Sequence, residues 1–250
     1  MEIVSPETQF GFVFFMILTT LYFVLSYLLC KPSRGVKSQS FGLMLSVCYY
    51  LMVLCGQYLI NLSTTASLCN GVYQYMNAAY ITLVPWVLIF GILNLMLNIF
   101  PGWLSPFSNT FGYGMTTMLG IKKIIRNVFN EPGSSNGQSD KATEVLNYIY
   151  GNQSLLVNEI TMDNFEQFIK SMNSLLKAGE DTNDVKILKD LIYLKELVAQ
   201  YIWFVLTGSL VISVATNSII NAGCSYNEED IKGLSKLDSI STTINTESTI

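Results

Sequence analysis

Histidine is absent from this 250-residue chain. That removes the commonest general base and the commonest transition-metal ligand together. Charge is scarce as well: 13% of residues are Asp, Glu, Lys or Arg, about half of what a water-soluble domain carries. The scarcity is concentrated. No charged residue occurs from Thr8 to Cys30, from Ser38 to Ile121, or from Gln200 to Asn227. Runs that long and that apolar cannot face water, and half of all residues are hydrophobic; the chain reads as a membrane protein. Catalytic signatures are missing too. No HExxH, Gly-rich phosphate loop or CxxC occurs, so no reaction, metal or cofactor is expected. The spans also lack the ionisable groups that pumps and ion-coupled carriers place in the bilayer.

What is present is length enough to cross lipid. A hydrocarbon core of about 30 Å takes roughly 20 helical residues. Thr8–Cys30, Phe41–Leu62 and Asn77–Ile99 meet that requirement, and Gln200–Ala222 is a less greasy fourth span. The first window opens with Glu2 and Glu7 rather than a basic region and is too long for an h-region, so it reads as a retained span. The expected fold is all-α: a polytopic membrane protein with four transmembrane helices, an interfacial helix and a small helical domain. The expected divisions are a three-span membrane domain over 1–100, an interfacial aromatic and amphipathic segment over 101–130, and a linker over 131–139. A small helical domain over 140–199, the fourth span over 200–222 and a flexible polar tail over 223–250 follow.

Orientation follows from the short-loop Lys and Arg residues. Lys31, Arg34 and Lys37 lie between spans one and two, and Lys122, Lys123 and Arg126 follow span three, whereas the loop 63–76 has no charge. Both termini are therefore expected on the non-cytoplasmic side, with 100–199 on the cytoplasmic side. The net charge of −4 with basic residues confined to membrane flanks argues against nucleic acid as a partner.

Cys48 and Cys55 lie within span two and read as buried thiols packing as small hydrophobes. Cys69 and Cys224 fall on the same expected side, each near a membrane surface, where an oxidising compartment would permit a disulfide and a reducing one would leave two free thiols. Gln57, Asn61, Asn94 and Asn98 are polar groups in spans two and three that favour contacts between helices. Pro85 should kink span three or seat a tight contact.

The string Phe100-Pro-Gly-Trp-Leu-Ser-Pro-Phe-Ser-Asn-Thr-Phe-Gly-Tyr113 is the most distinctive in the chain. Pro101 and Gly102 end span three, and Trp103, Phe107, Phe111 and Tyr113 are expected at headgroup depth. Phe107, Phe111, Met115, Met118, Ile121, Ile125 and Phe129 recur at steps of three and four, which places them on one helix face. Lys122, Lys123 and Arg126 lie off it. The plain reading is a helix following the bilayer surface; the sharper one is a docking ledge. In the ledge, the aromatic residues set the height and the basic trio holds anionic headgroups.

Downstream, a short helix is expected over 140–150 with Val145, Leu146 and Ile149 inward. A second, capped by Thr161 and stopped by Gly179, carries Phe165, Phe168, Ile169, Met172, Leu175 and Leu176. A third opens at Asp184 with Val185, Leu188, Leu191, Ile192, Leu194, Leu197 and Val198 inward, and no breaker separates it from the fourth span.

The Phe100–Tyr113 string, following a span that bears Pro85-Trp86 and two earlier spans, resembles a multi-span inner-membrane, minor-capsid-associated protein family of the nucleocytoplasmic large DNA viruses. The resemblance covers roughly residues 40–120. It implies a structural virion protein of the internal viral membrane, made on host-derived membrane, that anchors this membrane to the capsid shell through segment 100–199. The partners so implied are the lipid bilayer and capsid or other minor capsid proteins, with a homo-oligomer also open. The competing readings are a viral pore or membrane-remodelling protein and a non-virion membrane scaffold or assembly factor.

Overall fold

The computed structural model describes residues 6–32, 37–133, 140–180 and 182–224. Most of the linker expected over 131–139, nearly all of the tail expected over 223–250, and Arg34 of the first basic cluster lie outside the described residues. Within them the fold is all-α, and four helices are long and apolar enough to cross a membrane.

Helices α1 (Pro6–Cys30) and α2 (Lys37–Leu68) are two of these. The third begins as α3 (Tyr75–Pro85), passes through a wide π-turn at Trp86–Gly91 and ends as α4 (Ile92–Ile99). Pro85 thus stays inside the rod, and the helix accommodates its missing donor by widening at the next residue. A chain of short turns follows: a 3₁₀ turn at Pro101–Leu104, α5 (Ser105–Phe107), a π-turn at Ser108–Gly112, and α6 (Tyr113–Met118). Gly120, at φ +86°, then separates α6 from α7 (Ile121–Val128).

The small domain comprises α7, α8 (Asp140–Gly151), α9 (Gln153–Glu159), α10 (Phe165–Ser171) and the first half of α11 (Asn183–Asn221). α11 is unbroken for 39 residues, about 58 Å at 1.5 Å per residue. That is nearly twice the hydrocarbon thickness, so one helix forms both a wall of the domain and the fourth span. Thr182 starts it by accepting from the Val185 amide at 3.4 Å.

Two separate cores result. The domain core is aliphatic, with Ile121, Ile125, Leu146, Leu188 and Ile192 almost wholly buried. A short antiparallel pairing of Phe129 with Leu176 pins the end of α7: the Asn130 amide donates to Leu175 and the Lys177 amide to Val128, both at 2.9 Å. The expected inward residues Leu146, Ile149, Phe165, Ile169, Leu175 and Leu176 are buried, whereas Val145 faces outward. The second expected helix is shorter than its apolar pattern, because α10 stops at Ser171 and a 3₁₀ turn carries Leu175 inward. Thr161 and Asn164 cap each other ahead of it, at 2.8 and 3.3 Å.

The span core is aromatic. Phe15, Tyr49, Trp86 and Phe90 are buried together, and Phe204 of α11 meets the Phe90 ring at 5.3 Å. Gln57 donates to the Gly11 carbonyl at 2.9 Å and Asn61 to the Thr82 hydroxyl at 2.8 Å, so these two amides do join helices. Asn94 does not: its amide turns back to the Phe90 carbonyl of its own helix. Cys48 and Cys55 are also not buried; both lie exposed on the outward face of α2 among Leu51 and Met52, where lipid accepts a thiol as readily as a methylene. Cys69 and Cys224 are joined as a disulfide, which ties the end of α2 to the residues just past α11.

Candidate membrane-proximal docking site

The segment 101–128 is not one amphipathic helix. The π-turn at Ser108–Gly112 and the left-handed Gly120 rotate successive parts of it, so the expected single stripe divides. Phe111, Met115 and Met118 are exposed, Met118 at 85%, while Ile121, Ile125 and Phe129 on the far side of Gly120 are wholly buried. The physical reason is the steric freedom of glycine at φ > 0, which breaks helical phase where the apolar spacing in the sequence continues.

Partners along α11 show how the segment runs. Trp103 and Phe107 hold their rings 6.0 and 6.4 Å from Trp203. Gly112 lies against the backbone carbonyl of Lys195, too close for a β-carbon. Ile121 and Ile125 share the domain core with Leu188 and Ile192. As residue number rises along the segment it falls along α11, so the segment runs antiparallel beside that helix. Of the seven residues expected to form the ledge, Trp103 and Phe107 meet Trp203, Trp103 with 44% of its surface still exposed, and Tyr113 packs against the domain core. Phe111, Lys122, Lys123 and Arg126 remain exposed. The helix α7 that carries the trio also belongs to the domain core, which extends the domain back to residue 121.

The junction holds a residue pair that the sequence pattern did not single out. Lys195 is 1% exposed, and its ammonium donates to the carbonyls of Val157 and Ile160, both at 2.7 Å, at the C-terminal end of α9. A cation there also meets the negative end of the helix dipole. The neighbouring Glu196 accepts from the Met162 amide at 2.8 Å. Burial lowers the Lys195 ammonium to about 8, opposed by Glu196. Burial raises the Glu196 carboxyl, opposed by the Met162 amide and Lys195. The available signal was phase: Lys195 falls four residues after Leu191 and seven after Leu188, on the buried stripe rather than off it.

One further contact joins the end of the first span to the domain half of α11. Lys31, just past α1, pairs with Asp190 of α11 at 3.5 Å. Towards the disulfide end, a recess about the size of one water molecule is lined by Gln57, Asn61, Thr64 and Thr216. It is too small to conduct. Among the described residues, no group of three or more His, Cys, Asp or Glu is arranged to hold a metal ion. No family model, curated protein or solved structure matches the chain.

Proposed function

We propose that this is a structural membrane protein whose segment 100–199 anchors an internal viral membrane to the capsid shell. The observation that carries this reading is mechanical. The domain is attached to the span bundle by the unbroken α11, by the segment 101–120 packed along it and by the Lys31–Asp190 ion pair at the end of α1. A swivelling or enzymatic domain has no need of three such attachments, whereas a spacer that must keep a shell at fixed height above a bilayer does. The viral setting rests on the resemblance of the Phe100–Tyr113 string. The expected orientation places the domain on the cytoplasmic side, where a shell assembles, and the disulfide side opposite.

Cross-linking mass spectrometry on purified particles tests the proposal. The expected result is crosslinks from the domain lysines, Lys141, Lys170 and Lys177, to shell proteins. Crosslinks solely to internal core proteins overturn the tether. Absence from purified particles instead favours a non-virion scaffold or assembly factor.

A further inference from the structure

The recess near the disulfide end lies where α1, α2 and α11 meet. Gly11 of α1, Gln57, Asn61 and Thr64 of α2, and Thr216 of α11 contribute to its lining. Gln57 is 2% exposed, and Asn61 and Thr64 are each 7% exposed. A polar atom buried in a span must find its partner inside the protein, because lipid supplies none.

The hydrogen bonds already made fix which atom of each side chain is left over. Gln57 donates through Nε2 to the Gly11 carbonyl. A carbonyl only accepts, so the amide cannot turn over, and Oε1 is left without a donor. That oxygen stands 3.6 Å from where a β-carbon on Gly11 would be. The Thr82 hydroxyl gives its proton to the Ala78 carbonyl at 2.7 Å. It must therefore accept from Asn61 Nδ2, which leaves Asn61 Oδ1 without a donor in the same way. Thr64 gives its proton to the Ile60 carbonyl at 2.9 Å and keeps only lone pairs. Among the described residues the Thr216 hydroxyl makes no hydrogen bond. The recess thus sets three acceptor oxygens on α2 against one hydroxyl donor on α11, around a space the size of a single water molecule.

We infer that this recess binds one water molecule as a bridge between α2 and α11. The water donates to Gln57 Oε1 and Asn61 Oδ1 and accepts from the Thr216 hydroxyl. About three hydrogen bonds is the usual number for a buried water. A metal cation is the wrong occupant, since a charge held in a span needs a neutralising partner and none of the lining residues carries a carboxylate. The bridge gives the two helices a second joint. At this end they are tied covalently by Cys69 and Cys224, and the water ties them again inward of that bond. The inference rests on the reading of the spans as membrane-embedded and not on the shell tether.

Water-edited solid-state NMR tests it, on the full chain isotope-labelled and reconstituted in phosphatidylcholine vesicles. Magnetisation from water is expected to reach Gln57 Cδ, Asn61 Cγ and Thr216 Cβ. It should not reach Thr19 Cβ, whose hydroxyl is paired with Tyr49 at 2.9 Å in the buried span core. Thr216→Val keeps the shape of the side chain and removes the donor, so transfer to Gln57 and Asn61 should fall to the Thr19 level. Thr216→Ser should retain it. Unchanged Thr19 and Tyr49 shifts report that the bundle of each variant is intact. Wild-type transfer to Gln57 and Asn61 no greater than to Thr19 overturns the inference, whatever the variants do. Undiminished transfer in an intact Thr216→Val protein overturns it as well. Exchange of sodium for N-methylglucamine should leave the Gln57 and Asn61 signals in place; if they shift, the occupant is a cation and the water assignment falls. The readout lies within the spans and is independent of any shell protein, so the tether and the water bridge can fail separately.

Discussion

The two halves of α11 are one helix in two solvents. In the domain half, Leu188 and Ile192 are wholly buried in a cluster to which α7, α8, α9 and α10 also contribute, and even the lysine that intrudes at 195 has its ammonium bonded to carbonyls. In the span half, Leu206 and Leu210 are about half exposed, and the inward positions are Thr207, Gly208, Val211 and Ala215. Water forces a helix to hide its apolar residues behind a large core; lipid does not. What assembles the span half is close approach instead. Gly208 admits the ring of Phe15 into space that a β-carbon would fill, and Phe204 reaches into the aromatic cluster.

Substitutions along α11 test that contrast. The largest effect is expected from Leu188→Ala, which empties a sealed aliphatic core and should cost about 4 kcal/mol in chemical unfolding followed in detergent or nanodiscs. A loss under about 1 kcal/mol breaks the contrast, because the domain core is then as permissive as lipid.

Lys195→Met comes next, at about 3 kcal/mol, since it strands the Val157 and Ile160 carbonyls inside the protein. Its pH dependence has a definite sign. From about pH 8 to the ordinary lysine value of 10.5, the unfolded chain keeps a proton that the folded state has released. Wild-type stability from this group therefore rises with pH across that window, and the gap to the methionine variant should widen. Thermal melts of both proteins at pH 7 and pH 9.5 read it directly; a gap that narrows contradicts the burial of this ammonium.

Cys69→Ser should cost about 2 kcal/mol through the unfolded state and act on the span half alone. Hydrogen exchange is expected to rise at the disulfide end of α2 and α11 and to stay unchanged around Leu188. Spread of the change into the domain would mean that the halves are not separable. The smallest effect belongs to Leu206→Ala, about 0.5 kcal/mol or less, because its side chain is 53% exposed and meets lipid in either form.

The same division explains what could be read from the sequence. The four spans and the buried stripe from Val185 to Leu197 announce themselves through absent charge and through period, both of which depend only on which solvent a residue meets. The exposed positions of Cys48 and Cys55 were not legible, since thiols suit lipid and protein interior alike. Nor was the division of the Phe107–Phe129 stripe: its spacing is regular through Gly120, and only the left-handed backbone there separates the exposed Met118 from the buried Ile121. Of the candidate docking residues, the exposure of the basic trio was legible from its place off the apolar face. The packing of Trp103 and Phe107 on Trp203 was not, because amphipathic rings satisfy a headgroup layer and a protein groove equally.

The unbroken α11 also fixes a bearing. Each residue of an α-helix advances the chain by about 100° and 1.5 Å. The number of residues between Lys195 and Phe204 therefore sets the compass direction in which the domain points relative to the aromatic cluster. One inserted residue near Gln200 would turn the domain by more than a quarter circle, against the opposition of the 101–128 segment packed alongside. Length in this stretch is thus a matter of azimuth as much as of height. A change there must come in whole turns, or in a compensating change between Ile99 and Gly112.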